Sequence, residues 1–451
     1  MNKKRGSFSS RIGFVLAAAG SAVGLGNLWR FPYLAAKYGG GTFLLIYIIL
    51  AVTFGYSLMT AEITLGRSTR LSAVGAYDKL NKKFHFIGLL TCLVPIIIVP
   101  YYGVIGGWIV KYMAVFIKDG AAAAATDNYF TNFITNPWQP FFFLVVFITI
   151  TAVIVSMGVK GGIEKASTLM MPLLIVLSII IALYSVTRPG AWEGVKYYFT
   201  PHLSDVSPNT LLGAMGQMFY SMSLAMGIMV TYGSYMPEGE DIEKSVGQIE
   251  LFDTGVALLA GLMIIPAVFA FSGGDSEALN AGPGLMFVTM PKVFASMQLG
   301  TLIGITFFVL VFFAALTSCI SLYETVVSIL GDRFHMNRRN ACIVTYIICI
   351  VLGLLSAMGY GTLSGIQPLG MAFLDFFDFI SNSVLMPIVA LLSCLFLGWV
   401  VGIDYIAKEV KKNSSFRREP MFRVMIRWIA PIFLVAILVS SVMSALGIIS
   451  I

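Results

Sequence analysis

Charge is what this 451-residue sequence has least of. Only 11% of its residues are charged, whereas 58% are hydrophobic and the mean hydropathy is +0.88. Soluble domains average about 25% charged residues, so this composition excludes a water-soluble globule. Three histidines argue against a histidine-rich metal site, and the five cysteines, which lack metal-ligand spacing, are expected to be buried free thiols. The 44 glycines and 17 prolines follow no triplet period, which excludes a collagen-like chain.

Long stretches without Asp, Glu, Lys or Arg are what the sequence has instead. A helix that crosses a bilayer needs about 18 or more such residues. The pattern predicts an all-α polytopic membrane protein with about 11 transmembrane helices in one bundle, since strands of a membrane barrel would show alternation instead. The charge-free windows are 12–29, 38–61, 86–110, 128–159, 166–187, 206–237, 254–274, 293–323, 340–374, 379–403 and 428–451.

The positive charges lie mostly on one side of this predicted bundle. The alternate loops on that side hold 22 of the 29 Lys and Arg residues. Such loops are usually cytoplasmic, which places the N-terminus inside and the C-terminus outside, and explains the net charge without nucleic acid. The basic segment 1–11 is followed by no clear cleavage site, so we expect a retained first helix and not a signal peptide. These loops are 1–11, 67–83, 158–165, 238–244, 331–339 and 404–427.

Two of the predicted helices are interrupted by small residues. Helix 1 contains GSAVGLGN at 20–27, and helix 6 contains SMSLAMG at 221–227. Glycine weakens a helix by roughly 1 kcal/mol relative to alanine. Because the interruptions occupy the first and sixth positions of ten helices, they point to a transporter with two inverted five-helix repeats. The alternative is that these small residues only allow close helix packing.

Residues 11–32, RIGFVLAAAGSAVGLGNLWRFP, closely resemble the first helix of the neurotransmitter:sodium symporter family, bacterial amino-acid transporter branch. The string GLGNLWRFP carries most of the specificity. Paired interrupted helices are themselves a known property of this family, so the two arguments are not independent. The resemblance extends from about residue 5 to about 447, with further matches in YY at 101–102, GQMFYSMSLAMG at 216–227, FDTGVALLAG at 252–261 and FFAALTSCISL at 312–322.

The resemblance implies sodium-coupled symport of neutral, mainly hydrophobic L-amino acids into a bacterial cell by alternating access, and no enzyme activity. It implies a multi-pass protein of the plasma (inner) membrane, in contact with the lipid bilayer, as a monomer or homodimer. Another small zwitterion, an imino acid or a betaine, is the alternative substrate, while a channel or membrane enzyme is a remote alternative. The implied segments are a cytoplasmic tail with a gate arginine, two inverted repeats and a last helix, at 1–10, 11–187, 206–402 and 423–447.

The family pattern implies a substrate site at the two interruptions. The amino-acid carboxylate would meet backbone amides near Leu25 and Gly26 and the Tyr102 hydroxyl, as anions do at helix N-termini. No charged residue is expected around the substrate side chain, and burying an unpaired charge is costly, so neutral substrates are favoured. The implied substrate-binding residues are Ala22, Leu25, Gly26, Ile98, Tyr102, Tyr220, Ser221, Ser223, Met226, Ser318 and Leu322.

Two sodium sites are also implied, and hard cations prefer such all-oxygen ligands. The first would comprise Ala22, Asn27, Ser221 and Asp253, with the substrate carboxylate. Many relatives have Asn where this chain has Asp253, and chloride-dependent members hold an anion close by, near Tyr47, Gln217 and Ser221. The Asp253 carboxylate would replace that anion, so we expect chloride-independent transport. The second site would comprise Gly20, Val23, Ala314, Thr317 and Ser318.

Two gates complete the implied transport cycle. Arg30 and Asp378 resemble an external pair that closes over bound substrate, with Asp375 as a competing partner. Arg5 and Asp332 resemble a cytoplasmic latch. Tyr235 and Ser234 would support Arg5, and Phe8 stands where relatives commonly have tryptophan.

Overall fold

The protein is described here by a computed structural model, which covers residues 6–273 and 282–445. Within these ranges the chain forms helices and no strands, as the composition predicts. Among the described residues, nine helices are long and apolar enough to cross a membrane, and a pair bent by 52° forms a tenth candidate. The main helices are α1 (Arg11–Ala22), α2 (Gly26–Lys37), α3 (Gly41–Thr69), α4 (Lys82–Lys118), α5 (Gln139–Ser156), α6 (Val159–Val186), α7 (Pro208–Ser221), α8 (Ile228–Tyr235), α9 (Ile242–Ser272), α10 (Gly300–Phe334), α11 (Arg338–Met358), α12 (Phe373–Val400) and α13 (Glu419–Ala445).

The bent pair is α1 and α2, and the second interrupted segment comprises α7 and α8. Neither α7 nor α8 is long enough to cross a membrane by itself. Eleven crossings therefore remain a prediction, together with the repeat boundaries and the sides on which the termini lie. All five cysteines are buried and free, as expected from their position in apolar segments.

Several helices continue beyond the charge-free windows because charged side chains are buried inside them. Helix α3 runs to Thr69, past Glu62 and Arg67, where the window had ended at residue 61. Arg67 pairs with Glu409 at 3.0 Å, and Glu62 accepts a hydrogen bond from a backbone amide. Charged side chains are tolerated inside a helical bundle when they are paired in this way. For such helices, the charge-free windows of the sequence therefore predict helix ends that come too early.

The interrupted helices lie at the centre of the bundle. Helix α1 packs against α6, α9 and α10, while α8 packs along α3, and α4 packs against α10. In an apolar stretch of 18 residues, α4 and α10 are each 72% buried, whereas α13 is only 22% buried. The central helices thus enclose both breaks, and the peripheral helices present apolar surface to the membrane.

Candidate functional site

The first helix break lies between α1 and α2, where glycine-rich sequence cannot maintain a regular helix. Val23 adopts an extended conformation, with φ −72° and ψ 92°, and the chain resumes a helix at Gly26. The Asn27 side-chain oxygen accepts a hydrogen bond from the Gly24 amide at 3.1 Å. A Cβ atom at Gly24 would lie 2.8 Å from the Ser318 hydroxyl, so the close approach requires glycine. The break therefore exposes backbone amides and carbonyls in the middle of the bundle.

The second break comprises the residues between α7 and α8. Ser223, Ala225 and Gly227 have positive φ values of 53°, 59° and 74°, which ends the helical hydrogen bonding. The amide of Ala225 donates to the Glu62 carboxylate at 2.7 Å, so a buried acid on α3 caps the unwound segment. Ser223 donates to the Ser21 carbonyl at 2.9 Å. The two breaks are thus hydrogen-bonded to each other.

A small cavity of about 30 Å³ lies between the two breaks. All eleven residues that the sequence suggested for substrate binding line this cavity. None of its described lining residues carries a charged side chain. Sequence reasoning missed Ser21, Gly24 and Ile228. All three stand within or directly after the interrupted stretches, and this position was the available signal. The arrangement offers backbone polar groups at one side and apolar side chains at the other.

The Tyr102 hydroxyl is a free polar group in this cavity. It is buried, and it has no hydrogen-bond partner among the described residues. It lies beside Gly24, where an added Cβ atom would be 3.3 Å from the Tyr102 hydroxyl. Because an unsatisfied buried hydroxyl costs about 1–3 kcal/mol, a ligand that accepts or donates a hydrogen bond here would recover that free energy.

The residues suggested for the first sodium site form one hydrogen-bonded cluster. The Asp253 carboxylate accepts hydrogen bonds from Asn27 at 2.8 Å and from Ser221 at 2.9 Å. Its second oxygen accepts from Tyr47 at 3.2 Å. Asp253 is fully buried, and the Ala22 residue of the same group lines the adjoining cavity. A buried carboxylate with neutral donors alone lacks a positive partner, and a cation would supply one.

The Asp253 carboxylate accepts hydrogen bonds from two residues that the family pattern places around a bound anion, Tyr47 and Ser221. Tyr47 and Ser221 both point their hydroxyls at the carboxylate. Gln217 donates from its amide nitrogen to the Gly26 carbonyl at 2.9 Å. Its side-chain oxygen has no hydrogen-bond partner among the described residues. The Asp253 carboxylate therefore accepts from two of the three side chains that the family pattern places around an anion.

The residues suggested for the second sodium site meet where α10 crosses the first break. The Ser318 hydroxyl lies 3.4 Å from the Gly20 carbonyl oxygen and 3.5 Å from that of Val23. Thr317 donates to the Ala314 carbonyl at 3.1 Å. All five groups offer oxygen atoms, the donor type that alkali cations prefer. Thr317 also bonds back to Phe313 in its own helix, as threonines in apolar helices commonly do.

The suggested external gate lines a larger cavity of about 340 Å³ that adjoins Tyr220. Arg30 and Asp378 both line it, but no salt bridge joins them within the described part of the chain. Asp378 accepts hydrogen bonds from Tyr101 at 3.0 Å and from Asn382 at 2.5 Å. The Arg30 guanidinium lies 5.6 Å from the centre of the Tyr220 ring. Asp375, the suggested competitor, accepts from Tyr360 at 3.0 Å. The two gate side chains thus face one space without pairing.

The suggested cytoplasmic latch is described only in part, because Arg5 lies outside the described residues. Asp332 accepts a hydrogen bond from the Ser72 amide at 2.7 Å, while Tyr235 donates to Glu324 at 2.7 Å. Ser234 donates to the Thr231 carbonyl at 2.5 Å within α8. Phe8 is buried, and its ring contacts Phe14, Tyr232 and Tyr235 edge-on. Phe8, which stands where relatives commonly have tryptophan, is therefore packed into a buried aromatic cluster.

Comparison with known proteins identifies the family to which the chain belongs. The model of the sodium:neurotransmitter symporter family matches residues 5–136 and 131–448, which together span almost the whole chain. The chain belongs to this family. It is therefore a sodium-dependent membrane transporter and not an enzyme, as the sequence predicted.

Individual relatives agree with this assignment. The chain is 36% identical to the uncharacterized sodium-dependent transporter YhdH of Bacillus subtilis, over 95% of this chain and 96% of that one. It is 31% identical to an uncharacterized sodium-dependent transporter of Haemophilus influenzae, over 98% and 99% of the two chains. The crystal structure of MhsT in complex with L-phenylalanine has 37% identity and a TM-score of 0.87, covering 97% of this chain and all of that one.

Proposed function

We propose that this transporter carries neutral, mainly hydrophobic L-amino acids into the cell together with sodium. The cavity between the two breaks carries the proposal, because it is lined by the non-helical backbone of both breaks and by an apolar, uncharged wall. A charged substrate side chain would be buried there without a partner. The similarity to MhsT, whose solved complex contains L-phenylalanine, supports the same class of substrate.

The substrate would lie across the two breaks. Its carboxylate accepts from the amides near Leu25 and Gly26 and from the Tyr102 hydroxyl, which is otherwise without a partner. Its ammonium donates to the carbonyls near Ala22 and Tyr220 and to Ser223. The side chain is enclosed by apolar residues, among them Met226, which is flexible and adapts to more than one shape. The remaining residues around the side chain are Ile98, Ser318 and Leu322.

Two sodium ions would bind beside the substrate as co-transported cargo. The first takes oxygen atoms from Ala22, Asn27, Ser221 and Asp253, and the second from Gly20, Val23, Ala314, Thr317 and Ser318. The first ion neutralises the buried Asp253 carboxylate, so no chloride ion is required. Moving one charge through 100 mV is worth about 2.3 kcal/mol, so inward movement of two cations drives substantial accumulation.

Alternating access would be produced by two gates around this site. Arg30 and Asp378 close above bound substrate, and the latch around Arg5 and Asp332 then opens on the cytoplasmic side. The two interrupted helices begin the segments 11–187 and 206–402, which we take as the inverted repeats that move against each other. The gap between Arg30 and Asp378 fits a conformation in which the outer pair has not closed.

Uptake into proteoliposomes tests the substrate and the coupling together. The purified full chain is reconstituted with sodium outside only, and labelled leucine uptake is competed with phenylalanine, proline, glycine betaine, glutamate and lysine. We expect phenylalanine to compete, glutamate and lysine to fail, and uptake to disappear when choline replaces sodium. Competition by proline or betaine alone would support the alternative zwitterion class. Uptake that ignores the sodium gradient contradicts the proposed coupling.

The two sodium sites are tested separately by substitution. Asn27→Ala and Thr317→Ala each remove one side-chain oxygen from one proposed site. We expect both variants to need more sodium for half-maximal uptake. Thr306→Ala removes a half-buried hydroxyl from the same helix as Thr317 but outside both proposed sites, and it should not change the sodium requirement. An unchanged sodium response in both site variants would contradict the assigned ligands.

A further inference from the structure

A groove lies on the membrane-facing surface, away from the cavity proposed as the transport site. It is formed between α5 and α11 and has a volume of about 530 Å³. Its walls are mainly apolar and open to the outside, with Val153 55% and Ile343 49% exposed. The proposed transport function uses none of its residues. They are Thr149, Ala152, Val153, Ser156, Arg339, Cys342, Ile343 and Tyr346.

The groove runs from the helix ends toward the membrane interior. Helix α5 ends at Ser156, close to where α11 begins, because Arg338 donates to the Val155 carbonyl at 3.0 and 2.7 Å. The Thr149 and Tyr346 hydroxyls, which line the groove further in, lie 3.1 Å apart. Thr149 lies seven residues before Ser156, and Tyr346 lies seven residues after Arg339. Seven helical residues span about 10 Å. The groove therefore has one end at the membrane boundary and an apolar length directed inward.

Two adjacent arginines at this boundary have opposite surroundings. Arg338 pairs with Glu324 at 2.5 Å, and that carboxylate is fully buried. Arg339 instead lines the groove, is exposed, and has no ion pair or hydrogen bond within the described part of the chain. One arginine thus stabilises the helix contact, and the other presents an uncompensated positive charge at the mouth of an apolar groove.

The location of Arg339 indicates which kind of anion would pair with its charge. Loops 158–165 and 331–339 belong to the positively charged side of the bundle, which is predicted to be cytoplasmic. Basic pockets between membrane helices on that side bind anionic lipid headgroups. Arginine also binds phosphate through two parallel hydrogen bonds. An apolar groove that ends in a free arginine therefore matches a lipid with an acyl chain and a headgroup of net negative charge.

We propose that this groove binds one anionic phospholipid, with the phosphate at Arg339 and an acyl chain along Val153 and Ile343. The apolar groove alone would accept any lipid tail, so Arg339 provides the preference for negative charge. A second copy of this chain fits less well, because it would bury Arg339 while offering no identified acid to pair with it. Burying an unpaired charge of this kind is strongly unfavourable.

Native mass spectrometry of the purified full chain tests the proposal. The protein is titrated with phosphatidylglycerol and with phosphatidylcholine that carry the same acyl chains. We expect one phosphatidylglycerol per chain, bound roughly fivefold better than phosphatidylcholine, as a single arginine near a membrane provides. Arg339→Gln should abolish this preference. Arg417→Gln, at an exposed arginine outside the groove but on the same predicted side, should preserve it.

The acyl-chain part of the site is tested by filling the groove. Val153→Trp should lower binding of phosphatidylglycerol, whereas Val351→Trp, also exposed on the membrane face but outside the groove, should not. Equal binding of both lipids to the unmodified protein, or an unchanged preference in Arg339→Gln, overturns the proposal. So does displacement of the lipid by inorganic phosphate alone. If Val153→Trp instead converts a dimer into monomers without changing lipid binding, a second copy occupies the groove.

Discussion

Replacing Asp253 by asparagine tests how the buried carboxylate contributes to sodium binding. The substitution keeps the shape and one side-chain oxygen but removes the negative charge from a cluster in which Asn27 and Ser221 lie within 2.9 Å of the carboxylate. A cation that takes this carboxylate as a direct ligand lies no more than about 4 Å from the centre of its charge, and an effective dielectric constant of about 20 then gives an attraction of about 4 kcal/mol. Because the amide oxygen recovers part of this, we expect about half to be lost, which is about a thirtyfold rise in the sodium concentration for half-maximal uptake.

The same variant should acquire a response to chloride. Without the carboxylate charge, the hydroxyls of Tyr47 and Ser221 become available to an anion, which restores the missing charge. Uptake is measured in chloride and in gluconate, with sodium varied in each. The unmodified protein should behave alike in both salts, while Asp253→Asn should recover with chloride. Asp404→Asn, on an exposed side chain, serves as the control and should change neither property.

An unchanged sodium requirement in Asp253→Asn would refute the reasoning, because the carboxylate would then contribute nothing to cation binding. A large loss of uptake in gluconate by the unmodified protein would equally contradict it. In that case the carboxylate would not replace a bound anion.

Further predictions follow from the same geometry. Tyr102→Phe removes the free hydroxyl, which is worth about 1.5–3 kcal/mol toward a charged carboxylate, so the substrate KM should rise at least tenfold with little loss of folded protein. Ala225→Gly removes a Cβ from a left-handed backbone, a conformation that costs other residues about 1–2 kcal/mol, so the variant should unfold at a higher temperature in detergent. Ala257→Gly, inside the regular helix α9, should instead unfold at a lower temperature, since glycine there costs about 1 kcal/mol. Equal shifts of the same sign in both glycine variants would show that backbone strain at Ala225 is not important.

Much of this protein is determined by local sequence. Glycines at 20, 24 and 26 weaken the first helix around the position where it breaks, and the near absence of charge assigns the chain to the membrane. The motif GLGNLWRFP identifies the family, and with it the residues expected around one cavity. These features were predictable because each depends on residues that are close together in the sequence.

The tertiary structure decided how distant polar groups pair. Glu62 caps the second break at Ala225, and Glu324 pairs with Arg338, so charges that appeared to end the helices are buried inside them. The separation of Arg30 and Asp378 likewise depends on how two helices far apart in the sequence are placed. Such pairings require chain segments up to several hundred residues apart to meet in one geometry. Only the packing of the whole bundle fixes that geometry.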